Sequence, residues 1–588
     1  MESFDPALPF VLLDDARRDG AGAKLFTQAK DIVTASTLND VPAALAKLRQ
    51  AVREGRWVAG FIGFEAGYAL EPRLRPRFRP PHDGLPLLWF GLFKRRRNLA
   101  ATEVEALLPP LRASVTGVRP RLDEARHGAM VRSAQALIEA GDIYQANITF
   151  AADVDYDGHP LALYRSLRRA QLAPHGAIVH TGAAWVLSAS PELFFEIAGG
   201  RVTTRPMKGT AARLPDPNGD RRTARALAAD PKNRAENLMI VDLLRNDLSR
   251  VAEPGSVTVD DLYRIESFPT VHQMTTTIHG RLQADRDAVD VLATLFPCGS
   301  VTGAPKIRAM EVIADIEAAP RGLYTGSIGY LDPGGDARFN VAIRTLVTAG
   351  DGRATLGLGS GIVADSDPAA EWAECLAKAA FLTRSHRRFD LIETLRFDPE
   401  VGPVRIERHL ERMAASARHC GFRFDRHEMR NIIQATMGEL RAPARLRLLL
   451  SEDGSFTALA SPLPPAPTQP FEVVLTRLGV TSDDPRLFHK TTDRAFYDEP
   501  RQASGAFELL FVNERDELTE GSFTNLFVPR DGRLLTPPLA CGLLPGVLRA
   551  ELIELGEAVE AVLAPTDLPA EFFIGNSLRG LMRARLRA

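Results

Sequence analysis

Thr204-Arg205-Pro206-Met207-Lys208-Gly209-Thr210 follows closely on the apolar run Leu193-Phe194-Phe195-Glu196-Ile197 and sets a lysine beside a flexible glycine and a hydroxyl. A loop lysine is ordinarily solvated. At neutral pH an amine with a pKa near ~10.4 is almost wholly protonated, so a nucleophilic Lys208 needs desolvation or a cationic neighbour, for which Arg205 is the candidate. Spacing alone leaves both readings open, and the segments on either side decide.

At 588 residues the chain exceeds one core, and roughly two to four domains are expected. A hydrophobic content of 45% and a charged content of 25% are those of globular protein. The formal net charge of -2 offers no pull toward nucleic acid or an anionic membrane, so neither is expected as a partner. Cys298, Cys375, Cys420 and Cys541 are scattered without a CxxC pair, which suits a reducing compartment. The start MESFDPALPF lacks a basic region followed by a long apolar run, and no apolar stretch is long enough to span a bilayer. A cytoplasmic enzyme is the expectation.

Outward from Lys208, Val58–Phe64 reads as a buried strand whose glycines permit close backbone approach. Glu71–Pro81 reads as a Pro/Arg-rich loop with solvated charges. Glu124–Glu139 has helical spacing that stops at Ala140-Gly141-Asp142. Ile143–Phe150 alternates like a strand, within which Gln145 either lines a site or satisfies sheet polar groups. Asn233–Asp247 reads as an amphipathic helix with Leu238, Ile240, Val241 and Leu244 inward and Glu236 near its start. Phe296–Lys306 is a Gly/Ser/Thr loop before the helix Ile307–Glu317, able to offer amides to a carboxylate or phosphate, though it is no Walker loop. Leu356–Val363 is glycine-rich but lacks the helix that a dinucleotide fingerprint requires directly afterwards. The next helix carries Glu371 and Glu374 three apart on one face: a surface pair, or with Glu236 an oxygen-ligated Mg²⁺ site. Near Ser385–Arg388 the texture changes. Phe389–Arg396 reads as a strand, Arg405–Phe422 as a helix with His409 and Arg412 on adjacent turns, and Ser461–Pro470 as a joint within the second unit. There are no internal repeats.

GDIYQANIT, SPELF, RPMKGT, AENLMIVDLLRNDLSRV, FPCGSVTGAPKIRAMEVI, YTGSIGY, FNVAIRT, GSGIVADSDP and EWAECLAKA occur in order over about residues 1–385. This half resembles the chorismate-utilising enzymes: the anthranilate, aminodeoxychorismate, isochorismate and salicylate synthases. The resemblance implies an α+β fold of antiparallel β-sheets sandwiched with outer helices, with residues 1–125 as an N-terminal region and 126–385 as the chorismate-binding catalytic domain. Ammonia-using members carry glutamine at the position of Gln145, where water-using members carry a lysine. A lysine at the position of Lys208 goes with 4-amino-4-deoxychorismate as product, an alanine with anthranilate. By the same resemblance Glu236 and Glu374, with Glu371 beside them, hold Mg²⁺ against a chorismate carboxylate. Tyr324, Arg344 and the backbone around Gly359, Ser360 and Gly361 bind carboxylates, Thr302 touches the ring substituents, and Lys378 lies near the metal-bound carboxylate. One departure stands out. Gln273 occupies the position where most members have a histidine, and His272, one residue away, points elsewhere on a strand. Leu12–Arg17 lacks the tryptophan-inhibition signature.

FDLIETLR, RIERHLERMAASARHCGF, HKTTDR, LTEGSFTNLF, LLPGVLR and FFIGNSLRG carry a second resemblance, over 386–588, to the fold-type IV pyridoxal-phosphate enzymes, a two-subdomain fold. Lys490 matches the Schiff-base lysine and Glu520 the carboxylate that pairs with the pyridine nitrogen. Arg412, the Gly546, Val547 and Leu548 amides and Ser577 match the phosphate cradle, and Arg579 a substrate-carboxylate contact. The chain ends soon after GNSLRG, which reads as a trimmed C-terminal helix. The family includes 4-amino-4-deoxychorismate lyase and aminotransferases, and fusion to a synthase favours the lyase by association. The expected function is therefore 4-aminobenzoate formation on the folate route. The alternatives are a C-terminal aminotransferase, an anthranilate synthase with an accessory unit, or a non-catalytic second unit. No cysteine nucleophile elbow with a downstream His-Glu pair is present, so ammonia is expected from a separate glutamine amidotransferase subunit. A homodimer through the second unit is left open.

Overall fold

Apolar runs too short for helices become strands covered on both faces. Trp57–Ile62, Leu88–Phe93 and Trp185–Ser190 are six residues each and almost wholly buried. The computed structural model describes residues 4–17, 20–109, 113–212, 217–267, 271–383, 389–438, 440–452, 454–463 and 470–587. The change of texture at 385–388 and most of the joint at 461–470 lie outside the described residues. Two compact units emerge, residues 1–213 with 222–386 and residues 214–221 with 387–588.

In the first unit the described residues form two ten-stranded sheets, all of whose pairings are antiparallel. The first runs Gly303–Ala304, Gln145–Asp157, Arg353–Ile362, Thr345–Thr348, Trp185–Ser190, His175–His180, Phe10–Asp15, Gly22–Thr27, Arg97–Leu99, with Ser114–Pro120 also on Gln145–Asp157. The second runs Met207–Ala212, Val271–Arg281, Arg201–Arg205, Leu193–Ala198, Ala337–Asn340, Ser327–Leu331, Trp57–Ile62, Leu88–Phe93, Asp31–Ala35, with Thr258–Ser267 on Val271–Arg281. Strands from before residue 125 thus pair into both sheets. One apolar cluster joins Val11, Phe26 and Val179 of the first sheet to Phe61, Phe93 and Ile328 of the second, so the sheets pack face to face. Helices Asp40–Arg53, Pro231–Ser249 and Ala288–Leu295 cover the outer face of one sheet, and Pro160–Gln171 and Pro368–Thr383 that of the other. This is the expected sandwich with outer helices.

Most elements follow the sequence pattern. Helix Glu124–Glu139 has the expected bounds, with Asp123 capping the Arg126 amide. Three details differ. Strand Gln145–Asp157 is buried over its first six residues rather than alternating, with helices Glu124–Glu139 and Lys306–Ile316 packed on its apolar face. Leu238 is 43% exposed, while Ile240, Val241 and Leu244 are buried, because the helix contacts its sheet along a narrower stripe. The arginines of 71–81 are not simply solvated: Arg73 pairs with buried Glu311 at 2.6 Å, Arg77 with Asp315, and Arg79 donates to the Glu317 carbonyl at 2.9 Å.

The second unit has a four-stranded antiparallel sheet, Gly402–Pro403, Leu391–Asp398, Ala444–Leu450, Phe456–Pro462, backed by helices Ile406–Cys420 and Arg426–Gly438. Its eight-stranded sheet contains six strands closed into a ring, because Leu518–Gly521 pairs with both Glu508–Val512 and Asn525–Arg530. Phe471–Arg477 lies parallel to both of its neighbours.

Phe339 is fully buried and stacks on Phe195 at 5.1 Å between the second sheet and its helices. Phe339→Ala is expected to cost about 3–5 kcal/mol in the urea transition of the first unit. A change below about 1 kcal/mol would contradict this packing.

Candidate functional sites

Segments far apart in sequence wall a cavity of about 320 Å³ in the first unit. Lys208 comes from strand Met207–Ala212, Glu236 from helix Pro231–Ser249, Gly359 and Gly361 from strand Arg353–Ile362, and Glu371, Glu374 and Lys378 from helix Pro368–Thr383. Lys208 and Gln145 converge on Gly361. A Cβ there would lie 2.5 Å from Gln145 Nε2 and 3.1 Å from Lys208 Nζ. Gln145 is 1% exposed and its Oε1 has no partner among the described residues, which sets aside a role in satisfying sheet polar groups. Burial lowers the Lys208 pKa, as does Lys378, against the opposite pull of Glu192, Glu236 and Glu374. The cationic neighbour is therefore Lys378. Arg205 instead pairs with Glu266 at 3.3 Å.

Glu192 was not anticipated. It lines the same cavity, is 3% exposed, and burial pushes its carboxyl up to about 7, opposed by a hydrogen bond from Ser300 and by the charge of Lys208. Ser300 Oγ donates to Glu192 Oε1 at 2.6 Å, and the Met207 amide also donates to this carboxylate. An acid embedded in the apolar run SPELFF was the available signal.

Glu236, Glu371 and Glu374 all line the cavity. Burial raises the Glu236 carboxyl and Lys208 and Lys232 lower it, while Glu371 and Asp365 raise it further. Burial would raise Glu374, but Lys378, bonded to it at 2.8 Å, outweighs that and holds it below the usual range. Glu371 accepts from Ser366 Oγ at 2.7 Å. Among the described residues no three acidic, His or Cys side chains come close enough to hold a metal by themselves. The donors are nevertheless of the right kind. Mg²⁺ is commonly held by one or two carboxylates completed by substrate oxygens and water, and a cation would offset the burial and, after it, the neighbouring acids that raise Glu236.

Arg344 and Tyr324 face the cavity as expected. Arg344 is at φ 49°, donates to Gln171 at 2.9 Å, and burial lowers it to about 10. It makes no ion pair among the described residues, so its charge is available to an anion. The Tyr324 ring lies against Gly357, where a Cβ would meet it at 2.0 Å. Lys378 Nζ also holds the Gly359 carbonyl at 2.8 Å. The Ser360 side chain points to the opposite face of its strand from Gly359 and Gly361, toward Cys375, so that this residue has only its backbone to offer the cavity. Two expectations change. Thr302 is fully buried and spends its hydroxyl on the Cys298 and Gly299 carbonyls at 3.1 and 3.2 Å. The 296–306 loop is not a free anion nest, because Gly303–Ala304 pairs with Ala146 and Gln145, and Lys306 is bound to Asp247 at 2.6 Å. Gln273 lines the cavity and holds Thr210 Oγ1 at 2.8 Å, while His272 turns away to Ser267.

In the second unit a cavity of about 470 Å³ lies between the four-stranded sheet and the strand ring. Burial lowers Lys490 to about 7, helped by Arg494 and Arg412. Burial raises Glu520 to about 7, although it accepts from the Leu544 amide and the Tyr497 hydroxyl, each at 2.8 Å, and from Asn525 at 3.1 Å. Arg412 grips Glu393 through two bonds of 2.8 and 2.7 Å, and His409 bridges Glu393 at 2.6 Å to Ser577 at 2.8 Å. Glu393, held down to about 2 by Arg412 and His409 against its burial, escaped the sequence reading. Gly546 caps helix Val547–Glu554, and a Cβ there would lie 1.7 Å from Asn525 Oδ1. Gly546, Val547, Ser577 and Arg579 line the cavity, whereas the Leu548 side chain packs into the core. The size of the cavity, its lysine, its buried carboxylate and the bare helix start fit pyridoxal phosphate.

A profile of chorismate binding enzymes matches residues 10–384, and the chain belongs to that family. A profile of class IV amino-transferases matches residues 390–586. Aminodeoxychorismate synthase component 1 of Klebsiella aerogenes is 45% identical over 278 residues, 47% of this chain and 61% of that protein. Anthranilate synthase component 1 of Streptomyces coelicolor is 43% identical over 284 residues, 48% of this chain and 55% of that protein. The chain thus spans about three fifths or less of the length of these relatives. Anthranilate synthase component I from Streptococcus pneumoniae superposes with a TM-score of 0.54 at 26% identity, covering 65% of this chain and 94% of that one. No described helix is long and apolar enough to cross a membrane.

Reductively ¹³C-methylated protein, free of cofactor, is expected to show Lys490 titrating near 7 and Lys208 below the ordinary lysine value of 10.5 in NMR spectra assigned by substitution. Two midpoints above about 10 would contradict the desolvation.

Proposed function

We propose that the chain aminates chorismate at C4 and then removes pyruvate, giving 4-aminobenzoate for folate synthesis. The observation that carries this reading is Lys208, an amine with lowered pKa in the cavity of a chorismate-binding enzyme, with Gln145 meeting it at Gly361 and Glu192 close enough to feel its charge. Both synthase names occur among the relatives, so overall identity does not choose the product. The lysine does.

Lys208 attacks C2 of chorismate as the C4 hydroxyl departs, and Glu192, protonated below about 7, delivers the proton that lets it leave as water. Ammonia then adds at C4, and the C2–nitrogen bond to Lys208 breaks. Gln145, whose Nε2 reaches the Gly361 position beside Lys208 and whose buried Oε1 has no partner among the described residues, orients ammonia. Arg344 and Tyr324 take a substrate carboxylate. Thr302 serves the wall rather than the ring. Mg²⁺ would be held by Glu236 and Glu374 with Glu371 beside them, and would supply positive charge to a substrate carboxylate. The sign of the pH dependence follows from the two groups. Deprotonation of Lys208 raises turnover with pH, and loss of the Glu192 proton, whose carboxyl is pushed up to about 7, opposes it.

Pyridoxal phosphate supplies an electron sink when bound. Lys490 would hold it, Glu520 its ring nitrogen, and Arg412, Ser577 and the amides of Gly546, Val547 and Leu548 its phosphate. Lys490 then moves the C4 proton as pyruvate leaves and the ring becomes aromatic, with Arg579 on a substrate carboxylate. Ammonia comes from a separate glutamine amidotransferase subunit.

Incubating the purified chain with chorismate, Mg²⁺, pyridoxal phosphate and ammonium is expected to yield 4-aminobenzoate and pyruvate in equal amounts. Turnover should follow a bell across pH, with one limb belonging to Lys208 and the other to Glu192. Anthranilate as product would overturn the role of Lys208. Accumulation of 4-amino-4-deoxychorismate would leave the amination standing and overturn the lyase.

A further inference from the structure

We propose that Arg321 is the positioning residue of the amination cavity, setting three of its walls at once. The proposal rests on the reading of that cavity as a chorismate amination site. Arg321 lies in the segment Ala318-Ala319-Pro320-Arg321-Gly322, which a sequence reader would take for a loop with a solvated charge. Its side chain is instead 1% exposed, with its guanidinium 4.3 Å over the ring of Phe64.

All five of its N–H donors are engaged. Nε and one Nη2 hydrogen bond Glu317, itself 3% exposed, at 3.0 and 2.7 Å. The other Nη2 hydrogen goes to the Asn147 carbonyl at 2.6 Å, and Nη1 goes to the Val301 carbonyl at 2.8 Å and Thr325 Oγ1 at 3.1 Å. Asn147 and Val301 both line the cavity, and they stand on different segments that the Asn147 amide also joins through the Thr302 carbonyl at 2.7 Å. The residue before Val301 is Ser300, which holds Glu192. The residue before Thr325 is Tyr324, which walls the cavity. Thr325 sits at φ 60°, a strained place for a β-branched residue, with its hydroxyl on the Tyr324 carbonyl at 2.6 Å. Glu317 extends the grip by accepting the Thr149 amide at 2.9 Å, two residues along the strand from Asn147.

A buried Arg–Glu pair adds little stability over an apolar pair of equal volume. What this fork supplies is direction: one planar group fixes the Ser300–Thr302 turn, the Gln145–Thr149 strand and the Tyr324 turn relative to each other. Lysine, a point charge on a flexible stem, cannot hold three directions.

The test compares Arg321→Lys and the milder Glu317→Gln with the parent chain, following chorismate amination with ammonium across pH, with melting curves alongside. Arg321→Lys is expected to lower kcat by about 10- to 100-fold while the KM for chorismate changes less than about threefold. The pH profile of kcat should also move, because Ser300 holds Glu192. Glu317→Gln should give a smaller loss of the same kind, and it decides the matter if Arg321→Lys fails to fold. The proposal is overturned if the folded variants keep kcat within about twofold of the parent with an unmoved pH profile, or if the loss matches the unfolded fraction. A parent chain that leaves chorismate untouched would instead overturn the amination reading on which the proposal rests.

Discussion

The cavity around Lys208 depends on an absence of side chain. Gly361 stands where Lys208 and Gln145 approach from different strands, and a methyl group there would press on both. The two groups belong to different sheets, so their meeting requires the sheets to pack face to face and strand Arg353–Ile362 to run beside Gln145–Asp157 in the observed register, which sets Gly361 opposite Asn147. A slip of one residue would put Ser360 there and turn the glycine to the other face. The apolar cluster shared by the two sheets therefore does chemical as well as structural service.

Charge is the second constraint. Lys208 and Lys378 share their surroundings with Glu192, Glu236, Glu371 and Glu374, and low dielectric makes each of them sensitive to the rest. Burial favours the neutral forms of both Lys208 and Glu192, the forms that the proposed chemistry requires. The same principle recurs in the second unit, where Lys490 and Glu520 are drawn toward neutrality from opposite directions. Two cavities on unrelated folds thus tune a lysine by desolvation beside a carboxyl group.

Much of this was legible in the sequence, for identifiable reasons. Helix Glu124–Glu139 declares itself by periodicity and the stop at Ala140-Gly141-Asp142, and strand Trp57–Ile62 by an apolar run whose glycine permits close backbone approach. Lys208 and Lys490 stood out through the motifs around them. Glu192 did not, because an acid in an apolar run announces burial only to a reader who already knows that both faces are covered. Thr302 was misread because its hydroxyl competes for local carbonyls, a contact that spacing does not encode. Arg205 was chosen as the neighbour of Lys208 by adjacency along the chain, whereas the effective cation, Lys378, arrives from a helix 170 positions later. Arg321 and Glu393 share that limitation, since their partners are set by tertiary packing alone.

The account turns on Lys208 forming a bond to the substrate. The direct measurement is peptide mass spectrometry after mixing the chain with chorismate and Mg²⁺ in the absence of ammonia. The account predicts an added mass, equal to chorismate less water, on the peptide that contains Lys208, and its disappearance when ammonium is supplied. An unmodified Lys208 peptide under conditions where ammonium supports turnover would contradict it.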